Sequence, residues 1–238
     1  MILFVYYTIL FFLFASLGSF FMVIGSRTVL KQSFIHGRSK CDHCQETISP
    51  LALMPVLGYF IASGKCQRCQ QNIPSIYPLC EGFFAILSLL LFKEYHIDIA
   101  LYLFIIFAIL LCMTSADLAL HIIPDRFQVM LSVLVIVYYY RHPDLSIGSH
   151  ILFALLITTT LITSNYILHQ GIGGGDIKSL AILAVFLGPL PFSYLLLVAS
   201  GLALCHVFYL RIRQFNTPKG LPFIPYIFFA YPIIFYIL

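Results

Sequence analysis

Charge is what this sequence has least of. Asp, Glu, Lys and Arg make up 9% of its 238 residues, 13 basic and 9 acidic, where a soluble domain carries about 25%. So few charges cannot solvate the surface of a globule of this length, and 61% of the residues are hydrophobic. A soluble enzyme, a disordered chain and a single-pass anchored domain are excluded. Low-complexity tracts and fixed-period repeats are missing too. The net charge of +4 is scattered over short loops, without a dense basic run interleaved with aromatics, so nucleic acid is not an expected partner.

What fills the space is a series of apolar runs near the roughly 20 residues that cross a bilayer as a helix. The first, Ile2 to Ile24, has no basic residue ahead of it and is too long for a signal-peptide core, so it reads as a retained first helix. Further runs lie at Tyr77–Phe92, Ile99–Ala116, Phe127–Tyr140, Ile151–Leu168, Ile177–Leu187, Phe192–Leu210 and Leu221–Leu238. The expected fold is all-α and polytopic, with about eight transmembrane helices in contact with the lipid bilayer and one small zinc-ribbon-like loop. Residues 1–25 form the first helix, 26–76 a cysteine-rich cytoplasmic loop, and 77–238 a membrane domain. Counting Gly188-Pro189-Leu190-Pro191 as a turn puts eleven basic residues on one side: Arg27, Lys31, Arg38, Lys40, Lys65, Arg68, Arg126, Lys178, Arg211, Arg213 and Lys219. Only Lys93 and Arg141 fall on the other. The positive-inside rule then places both termini outside and the cysteine loop in the cytoplasm.

That loop holds Cys41-Asp42-His43-Cys44 and Cys66-Gln67-Arg68-Cys69, two C-x2-C pairs separated by 21 residues. Each pair supplies two thiolates from a tight turn, and the spacer lets the turns face one another around one tetrahedral zinc ion. A redox pair is the rival, but no βαβ pattern surrounds it and cytoplasmic thiols stay reduced. His43 reads as solvent-facing, and Cys80, Cys112 and Cys205 as small residues buried in apolar runs.

Among the nine acids, Glu81, Asp117 and Asp176 lie within or against apolar runs, where a charge is costly and usually functional. Asp117 closes one run and Asp176 opens another, both at the cytoplasmic end, so oppositely directed helices bring the two carboxylates to one depth. Such a pair shares a proton and holds an activated water, the chemistry of aspartic proteolysis. Gly171-Ile172-Gly173-Gly174-Gly175 ahead of Asp176 lets backbone approach closely and leaves room for an extended substrate. Three alternatives stay open on these residues alone: a membrane peptidase, a transporter using the acids as an ion or proton path, and a structural role with Asp176 as a helix cap. The glycines do not make a dinucleotide fingerprint, because the sixth position is Asp and no strand precedes them.

The ordered set of motifs resembles the type IV prepilin peptidases along nearly the whole chain. Gly18-Ser19-Phe20 with Arg27, the cysteine loop with Pro55-Val56-Leu57-Gly58-Tyr59, Tyr77-Pro78-Leu79-Cys80-Glu81, Asp117 with Ile123-Pro124-Asp125, Gly173-Gly174-Gly175-Asp176-Ile177-Lys178 and Pro222-Phe223-Ile224-Pro225 carry the resemblance. It implies a GxGD-type aspartic endopeptidase of the bacterial cell membrane with Asp117 and Asp176 as the catalytic pair. Its partners would be prepilins or pseudopilins, cut after a Gly at the cytoplasmic face. Many such enzymes also methylate the new amino terminus, which implies S-adenosylmethionine as a cofactor; no residues for it are identified. Asp125 is expected to support the pair. Lys178 is expected to lower a nearby carboxylate's pKa or to snorkel to headgroups. Glu81 is expected to orient a basic side chain or to be a hydrogen-bonded interior acid. Gly174 and Gly175 are expected to seat the substrate, and His121, His169 and His206, near span ends, have no assigned proton role.

Overall fold

A computed structural model of the chain describes residues 1–35, 37–41, 43–143, 147–167, 171–213 and 221–237, with side chains as far as residue 232. Asp42, Asp144, His169 and Lys219 lie outside the described residues. Among those described the fold is helical: α1 (Ile2–Val29), α2 (Leu57–Ile61), α3 (Ile76–Glu94), α4 (Ile97–Leu120), α5 (Asp125–Arg141), α6 (Ile147–Ile167), α7 (Gly174–Leu187), α8 (Pro189–Ile212) and α9 (Ile224–Ile237), with a 3-10 turn at Leu51–Leu53. Setting aside the short α2, these helices answer the eight apolar runs one for one.

Five of them, α1, α3, α4, α6 and α8, are long and apolar enough to cross a membrane. The other three are shorter than a span needs. The 17 residues of α5 rise about 25 Å, and the 14 each of α7 and α9 about 21 Å, against a hydrocarbon core of roughly 30 Å. The expected turn between α7 and α8 is present. Gly188 adopts φ +73°, where a Cβ would sit 2.5 Å from His150 Nε2, and Pro189 opens α8 at the position where its missing N–H costs nothing.

The chain divides into two compact units, Met1–Leu111 and Cys112–Leu238, with the boundary inside α4. In the first unit α1 packs along α3 around Phe14, Ala15 and Ala85. Phe14 stacks on Phe92 with centroids 5.6 Å apart, and Phe84 on Phe107 at 4.9 Å, so rings fill what small residues leave open. The cysteine-rich loop connects these two helices.

In the second unit α7 is the hub, packed against α5, α6 and α8, while α9 packs on α8. Its buried residues, Ile177, Ser179, Leu180, Leu183, Ala184, Phe186 and Leu187, cover the half of the helix on which Asp176 lies, while Lys178 on the other side is exposed. Asp176 therefore sits on the helix that this unit wraps. Of the cysteines expected to be buried, Cys80 and Cys112 are, whereas Cys205 is exposed on α8.

Candidate active site and metal centre

Asp117 lies in the last turn of α4 and is only 5% exposed. One turn later the backbone folds over it: His121 adopts φ +53° and its N–H bonds the Asp117 carbonyl at 2.8 Å. Pro124 then blocks further helix and opens α5. The Asp117 carboxylate Oδ2 accepts the N–H of Ile224 at 3.3 Å, the first residue of α9, one of the unpaired donors every helix start presents. The late Pro222-Phe223-Ile224-Pro225 element thus contributes a backbone group to the site.

Asp176 occupies the first turn of α7. Its Oδ1 is buried and has no hydrogen-bond partner among the described residues, and its Oδ2 turns back over Gly173, 2.9 Å from where a Cβ would stand. The two carboxylates are close enough for the Asp117 charge to act on Asp176. The last turn of α4 and the first turn of α7 therefore bring the two sequence-selected acids together. A buried carboxylate oxygen without a partner costs about 1–3 kcal/mol or more, so it persists where a water, a proton or a substrate group can use it.

Around Asp176, α5 grips the start of α7. Gln128, buried at 5% exposure, donates from Nε2 to the Gly175 carbonyl at 3.1 Å, and Ser179 Oγ donates to the same oxygen at 2.9 Å. Asp125 pairs with Lys178 at 2.9 Å, both side chains well exposed. The carboxylate paired with Lys178 is therefore that of Asp125, in a surface pair worth about 0–1 kcal/mol. The glycines also divide their work. Gly173 leaves room for the Asp176 carboxylate, and Gly175 accommodates Ile123, whose Cβ would stand 3.0 Å from an added methyl; only Gly174 faces open space. Gly175 is therefore a position of close packing. Gln128 was not among the expected residues; its signal was an amide in the first turn of an apolar run.

Glu81 belongs to the other unit. It accepts the Val56 N–H at 2.8 Å and a bond from Ser19, and no Lys or Arg among the described residues forms an ion pair with it. Glu81 is thus a hydrogen-bonded acid between α1, α3 and the Val56 turn. His206 bonds the Tyr226 hydroxyl.

The four loop cysteines converge. Their sulfurs all lie within 4.8 Å of one another, with Cys41 to Cys69 at 3.8 Å and Cys44 to Cys66 at 3.9 Å. A tetrahedral ion with metal–sulfur bonds of about 2.3 Å requires edges of about 3.8 Å. The two knuckles are copies. In each, the first Cys bonds across the turn (Cys41 to Glu46, Cys66 to Gln71), and the Gln after the second Cys takes a positive φ, 57° at Gln45 and 58° at Gln70. A repeat of Lys-Cys-x-x-Cys-Gln at residues 40–45 and 65–70 underlies this symmetry, although no repeat was expected. Backbone N–H groups of Cys69 and Arg68 lower the Cys66 thiol to about 6. Cys44, favoured by its Glu46 backbone bond, is still raised to about 11 by desolvation and the three neighbouring sulfurs. Four thiolates this close repel one another, and a dication is the kind of ligand that would hold them together. The cluster fits a metal, and His43 stands exposed outside it.

Comparison with known proteins covers both units. Residues 12–95 match the model described as the bacterial peptidase A24 N-terminal domain, and residues 102–208 match the type IV leader peptidase family. A prepilin leader peptidase/N-methyltransferase of Bacillus subtilis (strain 168) is 31% identical over 173 residues, 72% of this chain and 70% of the relative. The chain belongs to the type IV leader peptidase family. A second relative of that name, from Pseudomonas putida, is 32% identical over 203 residues, 79% of this chain and 68% of its own length. A third, from Vibrio cholerae, is 27% identical over 215 residues, covering 82% and 83%. No solved structure matches. The leader peptidase match, residues 102–208, contains both Asp117 and Asp176, while the N-terminal match contains all four cysteines.

Proposed function

We propose that this protein is a membrane aspartic endopeptidase that removes the leader of type IV prepilins or pseudopilins, with Asp117 and Asp176 as its catalytic pair. The observation that carries the reading is the meeting of two acids, drawn from span ends 59 positions apart, in a chain with so few. One carboxylate takes a proton from water while the water oxygen attacks the scissile carbonyl. The other, protonated, gives its proton to the carbonyl oxygen. Collapse of the tetrahedral intermediate then returns a proton to the leaving nitrogen. The products are a leader ending in a carboxylate and a mature chain with a free amine. Gln128 and Ser179 hold the Gly175 carbonyl, and with it the backbone that aims Asp176. Asp125 and Lys178 tie α5 to α7 at the rim. Gly173 and Gly174 keep the approach to Asp176 open.

The cysteine cluster is assigned to a structural zinc ion held by Cys41, Cys44, Cys66 and Cys69. Zinc there stabilises the loop and takes no part in the hydrolysis. The names of the relatives support a second, methyl-transferring activity with S-adenosylmethionine, for which no residue is assigned. The loop-charge asymmetry supports a bacterial plasma-membrane protein with outside termini, a first helix at 1–25, a cytoplasmic cysteine loop at 26–76 and a peptidase domain at 77–238. No observation favours the transporter alternative.

Incubating the purified full-length protein with a prepilin-like substrate and weighing the products tests this reading. A leader ending at Gly and a mature fragment of matching mass are expected. An intact substrate would contradict the peptidase assignment, and, when S-adenosylmethionine is added as methyl donor, a mature fragment heavier by one methyl group would locate the second activity in the same chain.

A further inference from the structure

Between the two cysteine knuckles the chain does something costly. Val56, a β-branched residue, takes φ 62° and ψ −55°, and the Leu57 N–H closes onto the Pro55 carbonyl at 2.6 Å. This is a γ-turn of the rare, strained hand. Two transmembrane helices hold it there, since Glu81 on α3 accepts the Val56 N–H and Ser19 on α1 bonds the same carboxylate. The turn launches α2, whose Gly58 is buried so tightly on the Ala52 carbonyl that a Cβ would stand 2.2 Å away. With Gly58 facing inward, Leu57, Phe60 and Ile61 share another face at i, i+3 and i+4. They are exposed at 39%, 68% and 52%, and Leu51 beside them at 65%. Strain has been accepted to present large apolar side chains outward.

The surroundings of this patch are basic. Leu53 and Met54 line a cavity of about 680 Å³ together with Arg38, Lys40, Lys65 and Arg68. None of these four cations has a carboxylate within ion-pair distance among the described residues, whose ion pairs are Lys93–Glu94 and Lys178–Asp125. Arg27 and Lys31 add charge where α1 ends. Apolar residues beside unpaired cations, on a loop whose two ends both run into membrane helices, match an anionic lipid surface in chemistry and in reach.

We propose that Leu51–Ile61 is an interfacial anchor that seats the cysteine loop on the anionic face of the bilayer. Leu57, Phe60 and Ile61 enter the acyl boundary, and Arg38, Lys40, Lys65 and Arg68 meet headgroup phosphates. The Val56 turn, pinned by Glu81 and Ser19, fixes the angle of entry. The proposal rests on the membrane reading of the chain but not on the peptidase reading, so it fails or stands separately.

The chain contains no tryptophan, so one introduced indole reports alone. The full-length Phe60→Trp protein is reconstituted in vesicles of phosphatidylcholine, or of phosphatidylcholine with phosphatidylglycerol, each with and without acyl-chain bromination. Unchanged zinc content and thermal unfolding show that the fold is kept, and Leu57→Trp serves as a second reporter. The expected result is blue-shifted emission that loses about half its intensity in brominated vesicles containing phosphatidylglycerol, and less in phosphatidylcholine alone or at high salt. Water-like, unquenched emission from both reporters would overturn the proposal. So would blue-shifted emission that bromination leaves untouched, because a protein surface would then cover the patch. Equal quenching in both lipids at every salt concentration would remove the charge complementarity on which the choice of occupant rests.

Discussion

At the scale of single residues, the proposed chemistry concentrates on two carboxylates and on the atoms that aim them. Asp117 takes its backbone donor from Ile224, while Asp176 keeps a buried oxygen with no partner among the described residues, so the pair is asymmetric before any substrate arrives. Gln128 acts only through the Gly175 carbonyl. Replacing it by Leu leaves that oxygen with the Ser179 hydroxyl alone and should lower kcat about tenfold with little change in KM. Gln128→Asn, too short to reach, should do the same, whereas a merely structural loss would lower thermal stability without the kcat-against-KM split. The glycines give a paired prediction. Gly175→Ala drives a methyl into Ile123 and should cost about 1–3 kcal/mol in stability. Gly174→Ala meets nothing and should unfold at the parent temperature, so any cleavage it loses is attributable to substrate access. The acids themselves were legible because a charge at the edge of an apolar run is rare. Gln128 was not, because an amide in a first helical turn normally faces solvent.

At the scale of elements, the cysteine loop shows where sequence reasoning reaches and where it stops. Spacing alone announced two facing knuckles, since the chemistry of tetrahedral thiolate sites fixes it. The Val56 turn could not be anticipated, because local propensity forbids a β-branched residue at positive φ. Only the distant Glu81 and Ser19 make it possible. Glu81→Ala removes the acceptor that holds this turn, and the loop should become sensitive to limited proteolysis between Pro50 and Lys65; Glu81→Gln keeps an acceptor and should largely restore protection. Removing the metal tests the other half of the loop. Changing Cys41, Cys44, Cys66 and Cys69 to Ser, or stripping zinc with a chelator, should loosen residues 39–72 and lower thermal stability. Some peptide cleavage should survive if the membrane helices stay folded. Complete and specific loss of hydrolysis, with those helices intact, would move the metal into the reaction.

At the scale of the whole chain, the scarcity of charge did most of the work. Nine acids and thirteen bases are few enough that each can be assigned, and, the short α2 aside, eight helices among the described residues answer eight apolar runs. The shortness of α5, α7 and α9 was less legible, because the sum of apolar residues does not reveal where Gly and Pro interrupt the backbone. The charge asymmetry predicts that alkaline phosphatase fused after Arg141 is active and after Arg213 inactive. The reverse pattern would invert the orientation and put the cysteine loop outside. The central claim is that Asp117 and Asp176 hydrolyse the leader peptide together, and it is tested most directly by Asp117→Asn and Asp176→Asn in purified, membrane-reconstituted protein with a prepilin-like substrate. Each variant keeps shape and loses charge, so insertion and thermal unfolding should match the parent while cleavage falls by about 10³-fold or more. Cleavage by either variant at the parent rate would contradict the account.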